Sequence, residues 1–253
     1  MTALNCIAIG FIGFGEVGQR FAADLLRNQG VAIRAYDIVL DDPARRDERL
    51  ARAEAIGVAP AGDARAAVTG AGVVISAVTA DQTEAVAAAT ARLLTPGQIF
   101  LDVNSPAPNT KRRAARLVEA AGAHYGEGAV MAPVATPGIK VSILAGGPHA
   151  TATAALLNGL GMNLKAVATE HGRASAMKLC RSIMIKGLET LITDCAAACR
   201  EWDVEDEVFG SLAHSFPGID WPAQAEYMAE RIATHGLRRA AEMREAAEML
   251  ADL

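Results

Sequence analysis

The first part of the chain alternates between strand-like and helix-like blocks of apolar residues. Residues 7–12 form an apolar run that enters a glycine-containing loop, and Val17, Phe21 and Leu25 then recur at helical spacing. Residues 72–78 are nearly all apolar, as a parallel strand buried on both faces should be. Alternating strands and helices predict a doubly wound, Rossmann-type α/β sheet.

The same pattern continues between and beyond these blocks. Further strands are predicted at 31–36, just after 56–58, at 99–103, from 126, at 141–145 and at 164–168, and further helices at 44–55, 82–94, 106–121 and 151–160.

The pattern changes near residue 170, after which no strand is predicted. Residues 173–200 form one helical pattern with apolar residues around its whole circumference, which predicts a long helix buried on most sides. Helices are also predicted at 204–215 and over most of the remainder. We therefore expect a dinucleotide-binding domain over 1–170 and an all-helical substrate and dimerisation domain over 171–253, joined by the long interdomain helix.

The loop after the first strand contains three glycines, each with a separate physical role. Gly13 permits a tight turn, Gly15 lets the backbone approach a pyrophosphate, and Gly18 lets the following helix pack closely on the strand. The N-terminus of that helix offers free N–H groups to phosphate. The residues predicted to bind the cofactor here are Gly13, Phe14, Gly15, Glu16, Val17 and Gly18.

An acidic residue ends the second predicted strand. Asp37 lies 37 − 18 = 19 positions after Gly18, where a carboxylate accepts a hydrogen bond from a ribose 2′-hydroxyl. This spacing favours NAD, because the carboxylate would repel a 2′-phosphate. Arg45 and Arg46 follow closely enough in sequence to leave NADP possible.

Polar residues follow two later strands at their carboxyl ends, where ligands bind in open parallel sheets. Val78 and Thr79 are expected to line the cofactor cleft, and the side-chain amide of Asn104 to contact nicotinamide or substrate. Asp81 could line the same cleft, but we favour it as the N-cap of the next helix.

The long helix carries the predicted catalytic residue, Lys178. A helix buried on most sides has little reason to hold an ammonium group unless that group is paired or faces a cleft. Arg181 and Ser182 follow one turn later on the same face and are candidates to bind substrate. The alternative from the residues alone is that these cations reach solvent or pair with acids such as Glu170.

Both pieces resemble the β-hydroxyacid dehydrogenases, which include 3-hydroxyisobutyrate and 6-phosphogluconate dehydrogenases. Residues 10–18 resemble the family's cofactor motif, and 172–178 are similar to its catalytic stretch, a glycine followed six positions later by lysine. The family usually has asparagine where Arg181 or Ser182 stands, and the loop after Glu127 also departs from its pattern. The resemblance implies the family's cofactor chemistry with Lys178 as acid/base, in a less characterised branch with its own C-terminal domain.

Composition narrows the possible partners. A net charge of −5 and 51% hydrophobic residues predict a globular protein without nucleic acid or an anionic membrane surface as its main partner. Four cysteines without metal-site spacing predict buried thiols in a reducing compartment, and we expect no metal site and a cytoplasmic protein: Cys6, Cys180, Cys195 and Cys199.

The predicted function is an NAD(P)-dependent oxidoreductase that acts on a small, anionic hydroxy acid. The alternatives are an imine reductase on the same scaffold and a module that binds NAD without turnover. The apolar helical part suggests a homodimer whose helices cover the clefts.

Overall fold

The computed structural model describes residues 7–253, without the side chain of Arg238. The chain divides into two compact units, one ending at Lys178 and the other spanning Leu179–Leu253. The assignment of 1–170 to cofactor and 171–253 to substrate and dimerisation stays a prediction.

The first unit contains an eight-stranded sheet of order β3-β2-β1-β4-β5-β6-β7-β8. Its strands are β1 (Ile7–Ile12), β2 (Val31–Tyr36), β3 (Ala59–Pro60), β4 (Val73–Ser76), β5 (Ile99–Asp102), β6 (His124–Val130), β7 (Ser142–Gly146) and β8 (Asn163–Ala166). Neighbouring strands run parallel except β6 and β7. The strand order reverses beside β1, which confirms the predicted doubly wound sheet and creates a crevice at the carboxyl ends of β1 and β4.

The connecting helices lie close to their predicted bounds. They are α1 (Glu16–Leu25), α2 (Pro43–Ala55), α3 (Ala64–Val68), α4 (Thr83–Ala91), α5 (Pro108–Ala120) and α6 (Ala150–Asn158). Their starts follow local chemistry: the Asp42 carboxylate accepts the Ala44 N–H at 3.0 Å and caps α2, with Pro43 as its first residue.

The central strands are mostly apolar because both faces of the sheet are covered. On β4, Val73 and Ile75 belong to the core on one face and Val74 to the core on the other, and all three are fully buried. Burial of each such side chain contributes about 1.5–3 kcal/mol.

The second unit is helical throughout. It contains most of α7 (Arg173–Trp202), together with α8 (Glu205–Ser215) and α9 (Trp221–Ala251). An apolar cluster around Ala196, Phe209 and Ala225 packs these helices together, and the buried Glu189 pairs with two arginines of α9. The absence of strands after residue 172 confirms the predicted all-α C-terminal part.

The prediction that α7 is buried on most sides is wrong for the single chain. Met184 and Leu191 are 62% and 68% exposed, and Leu188 is exposed between them. Apolar residues around a helix predict burial but do not distinguish a core from a surface that another molecule covers. No helix within residues 7–253 is long and apolar enough to cross a membrane.

The cysteines were predicted to be buried, and they differ. Cys199 is buried and Cys195 half-buried, but Cys180 is exposed on α7, so that prediction is wrong for Cys180. Cys6 lies outside the described residues.

A buried ion pair lies beneath the carboxyl end of β5. Lys111 Nζ is 2.8 Å from Asp102 Oδ1, and both side chains are 0% exposed. The Tyr125 hydroxyl donates to Asp102 Oδ2 at 2.5 Å, and burial, reinforced by the Asp102 charge, raises the pKa of Tyr125 well above its usual value. Lys111 also donates to the Asp102 carbonyl at 2.8 Å, so the buried charges are fully engaged.

We predict that Lys111→Met lowers the free energy of unfolding by about 3–5 kcal/mol, because the Asp102 carboxylate would stay buried without its cation. Chemical denaturation measures this loss. The matched control is Arg52→Met, which removes an exposed partner of Glu48 and should cost less than about 1 kcal/mol. Equal losses in the two variants would contradict the assignment.

Candidate active site

The glycine loop after β1 makes the close approaches expected of a dinucleotide-binding turn. Gly13 has φ +88°, and a Cβ there would lie 2.4 Å from the Ala77 carbonyl oxygen. A Cβ on Gly18 would lie 2.7 Å from the Gly13 carbonyl oxygen. Only glycine fits at either point without a backbone shift.

Gly15 differs from the other two because the space beside it is open. A Cβ built there meets no atom within 4 Å, and Gly15 is the N-cap of α1 with no capping side chain. The first N–H groups of α1 are therefore available to a ligand, at the positive end of the helix dipole. Phe14 is buried, Glu16 is exposed and Val17 is half-buried around this helix start.

Asp37 reaches back to this loop from the end of β2. Its Oδ2 accepts the Phe14 N–H at 2.6 Å, and its Oδ1 accepts the Val39 N–H at 2.9 Å. Each carboxylate oxygen keeps a second lone pair, so the group can still accept a ribose hydroxyl. Arg45 and Arg46 are both exposed on α2.

Two side chains that sequence reasoning missed hold the same loop. Arg49 Nη1 and Gln19 Nε2 donate to the Phe14 carbonyl at 2.9 and 2.8 Å. A signal for Arg49 was present, because it precedes the buried Ala53 by one helical turn and therefore lies on the inward face of α2.

The ends of β4 and β5 are joined by Asn104. Its Oδ1 accepts the Val78 N–H at 2.7 Å, and its Nδ2 donates to the Ser76 hydroxyl at 3.0 Å. Asn104 is buried, Val78 is half-buried and Thr79 is exposed at the mouth of the crevice. The amide thus fixes the strand ends, and its predicted contact with a ligand stays a prediction.

Asp81 does not cap α4, so the N-cap we favoured for it is wrong. A short 3₁₀ turn over Ala80–Gln82 delays the helix, and Gln82 is the N-cap. Asp81 instead accepts hydrogen bonds from the Thr79 and Gln82 side chains, which lower the pKa of its exposed carboxyl.

Lys178 is brought to the end of β5. Its Nζ donates to the hydroxyl of Ser105, a half-buried residue next to Asn104 that sequence reasoning did not single out. The signal for Ser105 was its location directly after a strand end. Gly13 lies close to Val78, since a Cβ on Gly13 would lie 2.7 Å from Val78 Cγ1. Val78 is in turn hydrogen-bonded to Asn104, the neighbour of the Ser105 that contacts Lys178, so these residues connect the glycine loop to Lys178.

The start of α7, which carries Lys178, is fixed by a buried carboxylate. Glu127 on β6 is 0% exposed and accepts the N–H groups of Gly172 at 2.6 Å and Ser175 at 2.7 Å. A negative charge at a helix N-terminus is stabilised by the helix dipole. In the sequence, Glu127 was noted only as the acid before a loop that departs from the family pattern, although an acid inside a buried strand indicates a required partner.

The loop before α7 is also tied to α5. Arg112 Nε donates to the His171 carbonyl at 3.1 Å, and His171 Nε2 lies 2.8 Å from Glu119 Oε1. Gly172 has φ +90°, a left-handed conformation that glycine adopts without strain. These contacts fix where the helix begins and hence the depth at which Lys178 lies.

The two predicted substrate residues after Lys178 differ in exposure. Arg181 is exposed, whereas Ser182 is buried. Both lie on the continuous helix α7, one turn beyond Lys178.

The fold and the glycine loop define a Rossmann-type domain that binds a nicotinamide dinucleotide. The profile described as the NAD binding domain of 6-phosphogluconate dehydrogenase matches residues 8–166, and a domain of unknown function matches residues 200–253. The chain belongs to the β-hydroxyacid dehydrogenase family, in a branch with its own C-terminal domain. Its cofactor domain and fold are those of an NAD(P)-dependent oxidoreductase.

Solved structures agree with this assignment. A conserved hypothetical protein from Sinorhizobium meliloti 1021 is 40% identical, with 98% of this chain and 82% of that chain covered and a TM-score of 0.86. A conserved protein of unknown function, described as structurally similar to 3-hydroxyacid dehydrogenases, is 31% identical, with coverages of 98% and 90% and a TM-score of 0.79. No curated protein matches the chain.

A more distant structure shares the fold. The 3-hydroxyisobutyrate dehydrogenase of Mycobacterium tuberculosis, solved with L-serine, is 21% identical, with 85% of this chain and 72% of that chain covered and a TM-score of 0.68.

We predict that Glu127→Gln destabilises the protein by about 1–3 kcal/mol, because the amide can accept one of the two helix N–H groups but turns a donor toward the other. Chemical denaturation measures this loss in the free energy of unfolding. Glu119→Gln, at a half-buried pair on α5, is the matched control and should cost less. If Glu127→Gln is as stable as the wild type, the carboxylate does not fix the helix start.

Proposed function

We propose that this protein transfers a hydride between a nicotinamide cofactor and a small hydroxy acid, with Lys178 as the general acid/base. The contact between Lys178 and Ser105 at the end of β5 supports this most directly. A proton-transfer group must lie beside the carbon that exchanges the hydride, and ligands of parallel sheets bind at this edge.

In the oxidising direction, neutral Lys178 takes the proton of the substrate hydroxyl as the C–H bond breaks. The nicotinamide, when bound, supplies the acceptor for the hydride. In the reducing direction, the Lys178 ammonium returns the proton to the new alkoxide oxygen. The Ser105 hydroxyl accepts a hydrogen bond from Nζ and keeps the lysine aimed at the strand end.

The substrate-binding part of the proposal rests on three residues near Lys178 in sequence or in space. The Arg181 guanidinium can hold a carboxylate through paired hydrogen bonds. Ser182 and Asn104 supply a hydroxyl and an amide of suitable polarity. We infer that the substrate is anionic because Arg181 stands where the family usually has an uncharged amide.

A homodimer and a cytoplasmic location also belong to the proposal. Met184, Leu188 and Leu191 follow each other at helical spacing on an exposed side of α7, which supports coverage by a second copy.

The cofactor in this proposal is NAD rather than NADP. The Asp37 carboxylate lies against the glycine loop, where it can bind the ribose hydroxyls and would repel a 2′-phosphate. Arg45 and Arg46 are exposed on α2, whereas the Asp37 carboxylate is held at the loop by the N–H groups of Phe14 and Val39.

We expect NADH to bind at least about tenfold more tightly than NADPH, because a phosphate dianion near a carboxylate is unfavourable. Fluorescence titration of the purified protein measures both dissociation constants. Asp37→Asn removes the charge but keeps an acceptor for the Phe14 N–H, and should narrow the difference. Tighter binding of NADPH by the wild type would reverse the assignment.

We predict that Lys178→Met lowers kcat/KM by about 10²- to 10⁴-fold and leaves NADH affinity within about twofold. Turnover is first sought with 2- and 3-hydroxy acids, and cyclic imines are included to test the imine reductase alternative. Lys165→Met, which removes an exposed lysine of β8, is the control and should keep full activity.

The outcomes separate the alternatives. A Lys178→Met variant that keeps most of its activity would remove the lysine from the mechanism. Tight NADH binding without turnover of any compound would favour a binding module over an enzyme.

A further inference from the structure

The Phe14 residue of the glycine loop is held from two directions. Its N–H donates to Asp37 Oδ2 at 2.6 Å, which fixes the peptide between Gly13 and Phe14. Its carbonyl accepts from Arg49 Nη1 at 2.9 Å and from Gln19 Nε2 at 2.8 Å, which fixes the next peptide.

The second of these peptides carries the N–H of Gly15. In a trans peptide the carbonyl and the N–H point in opposite directions, and residues 7–253 contain no cis peptide. Because Arg49 and Gln19 draw the Phe14 carbonyl to one side, the Gly15 N–H points to the other. No acceptor within the described residues is assigned to it, and a Cβ on Gly15 would meet nothing within 4 Å.

Arg49 is distinct from the other arginines of α2. Arg45, Arg46 and Arg52 are exposed, whereas Arg49 is half-buried and directed to the loop. A hydrogen bond from a guanidinium to a backbone carbonyl is charge-assisted and therefore stronger than a neutral one.

We propose that Arg49, with Gln19, is a positioning residue that presets the Gly15 N–H as a donor to the cofactor pyrophosphate. Arg49 acts through the Phe14 carbonyl and not through the 2′ position of the adenosine ribose. It therefore sets the affinity for every ligand with the dinucleotide's diphosphate, whatever stands at the 2′ position or the nicotinamide end. This inference rests on the dinucleotide binding of the proposed function but not on Lys178 or on any substrate.

The test compares Arg49→Met with the wild type for three ligands: NADH and NADPH by fluorescence, and ADP-ribose by calorimetry. The expected result is a loss of about tenfold in affinity for all three, because one charge-assisted hydrogen bond is removed from the loop. The variant should unfold cooperatively with a Tm within about 4 °C of the wild type.

Two further variants separate this mechanism from simple attraction between charges. Arg52→Met removes the same charge from an exposed site on the same helix and should leave all three affinities within about twofold. Gln19→Met removes the neutral hydrogen bond to the same carbonyl and should lower the affinities for all three ligands by a common factor.

The overturning results are specific. A loss of affinity confined to NADPH would mean that Arg49 binds the 2′-phosphate. Unchanged affinities in both Arg49→Met and Gln19→Met would mean that these residues do not preset the Gly15 N–H. Wild-type protein that binds none of the three ligands would overturn the cofactor proposal and this inference together, whereas failure of every turnover assay would leave the binding results valid.

Discussion

The close approach of the glycine loop to the end of β4 is the constraint on which the site depends. A single added methyl group at Gly13 would overlap the Ala77 carbonyl oxygen at 2.4 Å. Because no side chain intervenes, β1 and β4 end at the same level, and the start of α1 opens into the crevice where the strand order reverses. Asp37, Arg49 and Gln19 then hold the loop in this conformation through hydrogen bonds to Phe14.

The other half of the site depends on a buried charge. Glu127 lies inside β6, where an isolated carboxylate would be costly, and it is stabilised by two N–H groups at the start of α7. The same contacts fix the helix that carries Lys178. The buried pair of Asp102 and Lys111 lies at the end of β5, where Asp102 is three residues before the Ser105 that contacts Lys178.

The sequence was informative where the physics is local. Apolar runs mark the strands, so β1, β2 and β4 were predicted to within two residues at each end. The glycine loop was predicted because its backbone demands leave little choice of residue. The Lys178–Ser105 and Glu127–Gly172 contacts join residues 73 and 45 positions apart, and no local pattern encodes such pairs. Asp81 was misassigned because a 3₁₀ turn and an N-cap require similar residues.

The exposed side of α7 shows a different limit. Met184 and Leu191 have the apolar character of core residues, yet both are largely exposed in the single chain. Helical periodicity marks apolar positions but does not distinguish a buried core from an exposed surface. The sequence context of Lys178 likewise fits a catalytic lysine and a surface lysine equally, and its contact with Ser105 supports the catalytic role that we propose.

We infer that the glycine loop and Lys178 belong to one site, joined through Val78, Asn104 and Ser105. A crystal structure of the protein with NADH tests it most directly. We predict that the diphosphate lies over Gly13–Gly18 and that the nicotinamide ring contacts Ser105 or Lys178. A cofactor whose nicotinamide leaves the crevice without approaching either residue would contradict it.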